Sequence, residues 1–94
     1  MLLVTVSNIH RKFVSVVDSV PELATEQVLD QLQNTHQFLK NTHIVPLPDA
    51  CEVGDENTVG MVIKHGQDPY EAADDEMTYY VKVEKYYIGS VVEV

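Results

Sequence analysis

Residues 19–42 read SVPELATEQVLDQLQNTHQFLKNT, and this stretch decides the fold. Ser19-Val20-Pro21-Glu22 has the S-x-x-E pattern of a capping box. In that motif a hydroxyl takes one orphan amide of the first turn and the glutamate reaches back to another. Pro21 suits a first turn, where its missing N–H costs nothing. At 100° per residue, Ala24, Val28, Leu29, Leu32, His36 and Leu39 share one face, and Phe38 falls off it. Glu22, Glu26 and Asp30 favour the N-terminal half and Lys40 the last turn, in line with the helix dipole. The pattern predicts one amphipathic helix over residues 20–41 that packs its Val28, Leu32 and Leu39 face on something flat.

The flanking segments supply the flat partner. Leu2, Val4 and Val6 alternate with Leu3, Thr5 and Ser7, the period-two signature of a strand. Residues 12–18, KFVSVVD, are β-branched and aromatic and read as a second strand, antiparallel to the first. The connection between them lacks Gly, which predicts a loop longer than two residues. After the helix, His43 to Pro48 is extended, but Pro46 and Pro48 restrict it to an edge strand or a loop. Residues 58–65, TVGMVIKH, read as a strand with Gly60 at a bulge. Gly66-Gln67-Asp68-Pro69 signals a turn, and Tyr70 to Glu76 is one helical turn or an acidic loop. Residues 77–88, MTYYVKVEKYYI, form the strongest strand pattern, with a further short run at Val91–Val94.

The expected fold class is therefore α+β. A single domain spans 1–94, with an antiparallel or mixed sheet of four to five strands under one covering helix, in the order β-β-α-β-β-β. This order resembles β-grasp folds such as ubiquitin, and a helix on an antiparallel meander, as in cystatin-like folds, fits the later segments nearly as well. A ubiquitin-like modifier ends in Gly-Gly, whereas this sequence ends Val92-Glu93-Val94, so modifier activity is not expected.

Ninety-four residues hold one modest core, and 45% hydrophobic content is ordinary for a globular domain. The single Cys51 forms no internal disulfide, which fits a reducing, cytoplasmic setting. No apolar run approaches the roughly 20 residues that span a bilayer. The apolar start lacks a basic region before it and reads as a strand, not as a signal peptide.

Few chemical motifs are present. Glycines 54, 60 and 66 match no phosphate-cradling pattern. His10, His36, His43, His65 and Cys51 show no metal-ligand spacing, so no metal and no cofactor are expected. Cys51 lies between Asp49 and Glu52, and negative neighbours suppress the thiolate that a nucleophile needs. The carboxylates between Asp68 and Glu76 lack the ordered pattern of a calcium loop. Paired carboxylates for glycoside chemistry would find little room for a cleft in so small a chain.

Charge is the informative feature. Of fifteen acids, nine fall between Asp49 and Glu76 against the single base Lys64, so this stretch carries −8 of the chain's net −9. Such acidity repels nucleic-acid phosphate and anionic membrane, and it suits a protein partner with a basic surface. Tyr70 stands among the acids, and tyrosine is enriched at interface hot spots. The candidate partner-binding residues are Asp55, Glu56, Asp68, Tyr70, Glu71, Asp74, Asp75 and Glu76. The expected function is that of a small acidic, non-catalytic binding protein. It blocks a basic, nucleic-acid-binding surface on a larger protein, in the general character of compact inhibitors made by viruses and mobile elements. The alternative is an assembly protein that pairs through an exposed sheet edge, at Met77–Ile88 or the Val91–Val94 tail. A small enzyme is the third class, without a supporting motif.

Overall fold

The computed structural model describes residues 1–49 and 56–86. Cys51, Asp55 and the tail Val91–Val94 lie outside the described residues. The chain opens with a hairpin of β1 (Leu2–Ser7) and β2 (Lys12–Val17), in antiparallel register from Leu2↔Val17 to Ser7↔Lys12. Its four-residue connection is closed by Asn8, whose N–H donates to the Arg11 carbonyl at 2.9 Å. The Asn8 Oδ1 accepts from the His10 and Arg11 amides at 2.8 and 2.7 Å. An Asn side chain that imitates backbone in this way makes a turn without glycine.

The helix is shorter than its periodicity suggests. α1 runs Pro21–Thr35, not 20–41. The chain then makes a single 3₁₀ turn at Gln37–Leu39 and enters β3, Thr42–Val45. The capping box does not form, because Val20, and not Ser19, is the N-cap and no side chain caps the helix. The cause is Pro21. A residue before proline is held out of the helical region, and Val20 sits at φ −76°, ψ 153°. The box is thereby shifted one residue out of frame. At the other end His36 leaves the helix at φ −120° and packs at a tilt against Phe13, 4.7 Å between ring centroids. Phe38 is half-exposed in the 3₁₀ turn, under the Arg11 guanidinium at 4.6 Å. Leu39 swings inward and is buried, so the apolar stripe is completed by the 3₁₀ turn and not by a continuing helix.

β4 (Thr58–Lys64), a short helix α2 (Pro69–Asp74) and β5 (Tyr79–Lys85) complete the fold. The five strands stand in the order β2-β1-β5-β4-β3, and every neighbouring pair is antiparallel. The antiparallel form of the expected sheet is thus the one realised. The register between β4 and β5 slips between Thr58 and Gly60, which places the expected bulge at Val59. Glycine is required at position 60, since an added Cβ would lie 2.6 Å from the Val45 carbonyl oxygen.

One expectation is overturned. β5, the described strand within Met77–Ile88, is hydrogen-bonded on both sides, to β1 and to β4, so it offers no edge for assembly; Tyr87 and Ile88 lie outside the described residues. It holds the centre because its two rows of side chains both find cover. Tyr79, Val81 and Val83 face α1, while Tyr80 faces α2. The sheet's edges are β2 and β3.

The main core lies between the sheet and α1, where Val4, Val6, Val28, Leu39 and Val81 are the largest fully buried side chains. Leu32 is only half-buried at its margin. A smaller core of Met61, Ile63 and Ala72 lies on the opposite face, under α2.

Leu39→Ala should lower unfolding stability by about 2–5 kcal/mol, the usual range for a buried leucine, and Leu32→Ala by clearly less. Chemical denaturation of the two variants checks this order. Equal effects, or a larger one at Leu32, would contradict the 3₁₀ turn as the core's closing element.

Candidate functional site

Among the described residues the acidic stretch is interrupted by β4. Glu56 stands just before β4 and Asp68 four residues beyond its end, and the strand between them has seven residues. At about 3.4 Å per residue β4 spans roughly 20 Å. Asp68 therefore lies at the far end of β4 from Glu56, whereas Glu76, after α2, comes back to a cleft that Thr58 at the start of β4 also lines. Asp55 lies outside the described residues.

The second group is built around α2. Gly66, at φ +85°, lets the chain turn out of β4, and the Gln67 Oε1 accepts from the Lys64 amide at 3.0 Å. Asp68 is the N-cap of α2, its Oδ1 accepting from the Tyr70 amide at 3.0 Å, with Pro69 in the first turn. Ala72 is fully buried against Met61 and Ile63. Three side chains bind the connection to the sheet. The Thr78 hydroxyl donates to the Ala72 carbonyl at 2.6 Å, the Tyr80 hydroxyl to the Ala73 carbonyl at 3.3 Å, and the Asn8 amide to the Met77 carbonyl at 3.0 Å. The Asp75 Oδ1 accepts from the Met77 amide at 2.9 Å and shapes the exit.

These bonds sort the acids by task. Asp68 and Asp75 are engaged in local turns, so part of the charge density belongs to the architecture of the connection. Glu71, Asp74 and Glu76 are exposed, and no basic side chain of a described residue lies in ion-pair contact with them. Tyr70 is 58% exposed beside them. The arrangement is three solvated carboxylates and one aromatic ring on a connection fastened to the sheet by hydrogen bonds.

A second acidic surface was not singled out from the sequence. Glu22, Glu26 and Asp30 are all exposed along α1. Steps of four residues raise each carboxylate about 6 Å above the last, with a drift of about 40° around the axis. Their i, i+4, i+8 spacing, on the flank of α1 toward β3, is the signal that marks them. Dipole compensation alone explains only Glu22, in the first turn.

The histidines are dispersed over other tasks. His36 packs on Phe13 and Phe38, His43 and His65 stack on each other at 4.2 Å, and His10 is exposed in the hairpin turn. Among the described residues no three His, Cys, Asp or Glu side chains gather as a metal-ligating group. The cleft beside α2, about 300 Å³, brings Ser7, Glu76, Thr78, Tyr80 and Lys82 to one rim. That volume is at the lower limit for small-molecule sites. The chain matches no protein-family model, no curated protein and no solved structure.

Asp68→Ala should cost about 1 kcal/mol of stability through loss of the cap. Glu71→Gln should leave stability within about 0.5 kcal/mol, as an exposed residue engaged by no partner. Thermal unfolding of the two variants separates the architectural acid from the solvated one, and equal losses would show the division to be mistaken.

Proposed function

We propose that this protein is a small acidic, non-catalytic binder that blocks a basic, nucleic-acid-binding surface on a larger protein. The observation that supports this reading most is the exposed set Glu71, Asp74 and Glu76 around Tyr70, held on a connection that the sheet fixes in place. Carboxylates held in no ion pair keep most of their field for a partner, and a fixed scaffold spares the entropy of ordering them on binding. The stripe along α1 adds a second row of charge on the other face of the sheet. A basic partner would meet carboxylates where it otherwise meets phosphates.

The proposal includes a cytoplasmic setting, supported by the lone cysteine and the absence of a disulfide framework. Among the described residues no helix is long and apolar enough to cross a membrane. Assembly through a sheet edge is the second reading, and the character of β2 favours it as a separate property of the chain.

Glu71→Gln, Asp74→Asn and Glu76→Gln together should slow association with a captured basic partner about tenfold at low salt and flatten its salt dependence. Folding should be unchanged, because none of the three accepts a structural hydrogen bond among those found. Capture from lysate with parent and triple variant in parallel, followed by stopped-flow kinetics, provides the measurement. Equal association rates at low salt would assign these acids to solvation alone. The matching triple on Glu22, Glu26 and Asp30 reports which of the two acidic surfaces the partner uses.

A further inference from the structure

The two edges of the sheet are treated differently. β3 has four residues and runs directly into Pro46, with Pro48 two residues beyond. Short length and proline are the devices by which natural sheets blunt an edge. β2 has six residues in unbroken register, with no proline and no bulge, and on its face away from α1 Val14 and Val16 are 52% and 41% exposed. Among the described residues no strand pairs with its outer side. An edge left regular and apolar while the opposite one is blunted calls for a partner strand.

The backbone pattern says which groups that strand would meet. The Asn8 N–H bonds the Arg11 carbonyl, and the Tyr86 N–H bonds the Met1 carbonyl. Bonded pairs alternate along an antiparallel ladder. Hence Phe13, Ser15 and Val17 direct their N–H and C=O groups to β1, while Lys12, Val14 and Val16 direct theirs outward.

The strand and the residue after it are complementary to themselves. Read antiparallel about Ser15, the segment 12–18 sets Val14 against Val16, Phe13 against Val17 and Lys12 against Asp18. The outward-bonding residues Val14 and Val16 fall opposite each other, as a bonded ladder requires. Lys12 and Asp18 are both exposed and bring opposite charges together at each end. Shifting the register by two residues in either direction keeps the ladder but loses both charge pairs. We propose that this edge pairs with β2 of a second copy of the chain, in the register centred on Ser15, to give a two-fold symmetric dimer with one continuous ten-stranded sheet.

Both copies place α1 on the same face of that sheet, and Val14 and Val16 of the two copies form one apolar strip on the other face. Most of the acidic charge stands away from the contact. The helix α2, with Glu71 and Asp74, packs over Met61 and Ile63 of β4, three strand spacings or about 14 Å from β2 and beyond the Debye length of about 8 Å at physiological salt. Glu76 lies nearer, in the cleft beside Ser7 and Asn8. The hairpin's own charged residues near the edge, Arg11, Lys12 and Asp18, are not acidic in sum.

Sedimentation velocity of the full chain over a concentration series tests the proposal, with circular dichroism to confirm folding. The parent should move from chain mass to twice chain mass as concentration rises. Lys12→Asp or Asp18→Lys each disturbs both symmetry-related pairs and should weaken self-association about tenfold. The double variant Lys12→Asp/Asp18→Lys restores opposite charges and should return it to near the parent value. Val14→Pro removes an outward donor without touching the β1 ladder and should give a monomer. A chain that stays monomeric at its highest soluble concentration, its edge left to a strand of another protein, overturns the proposal. So does a dimer indifferent to the single charge reversals, or one that the double variant fails to restore. None of these residues belongs to the acidic surfaces, so the dimer and the acidic binder stand or fall separately.

Discussion

The antiparallel pairing of β1 with β5 carries the rest of the structure. It joins residues 2–7 to residues 80–85, nearly the whole length of the chain apart. Closing so long a loop costs entropy that grows only slowly with length, and burial of apolar surface must offset it. Val4, Val6 and Val81 supply that burial, each with no exposed surface, beneath α1. Without this pair the sheet separates into the hairpin β1–β2 and a three-stranded piece β5–β4–β3, and an isolated hairpin is marginal in water. With it, β2 becomes one edge and β3 the other, α1 gains a floor, and α2 is anchored above Met61 and Ile63.

That pairing was the part of the fold least readable from the sequence. Strand identity is local, and the alternation in Leu2–Ser7 and the β-branched run at Lys12–Val17 stand as their residues suggest, with the β4 bulge one residue before Gly60, at Val59. Strand order is not local. The same alternation suits a central or an edge position, and only the cover that α2 gives one face of β5 distinguishes them. The helix shows a different limit. Periodicity carried the pattern through to Leu39, because a 3₁₀ turn after a helix keeps a leucine pointing inward. At the start, the pre-proline restriction on Val20 overrode a capping motif that composition alone favoured.

The acidic stretch shows how a linear reading treats alike residues that the fold uses differently. Nine acids fall in one segment, yet among the described ones Glu56 precedes β4 and the others follow it, around α2. Local hydrogen bonding gives Asp68 and Asp75 a structural task as well, through one oxygen each, while both stay exposed. The surface at α2 is smaller than the sequence implied and better fixed, because Thr78, Tyr80 and Asn8 bind its backbone. Along α1 the opposite happened. Three acids spread over nine residues of sequence become neighbours on one side of a helix.

The central functional claim is that these carboxylates occupy the surface on which a partner otherwise holds nucleic acid. Competition on the captured partner tests it most directly. Fluorescence anisotropy of a labelled oligonucleotide bound to that partner should fall to the free value as the protein is added to stoichiometric amounts at low salt. A ternary complex, with the oligonucleotide still bound at saturating protein, would contradict the claim.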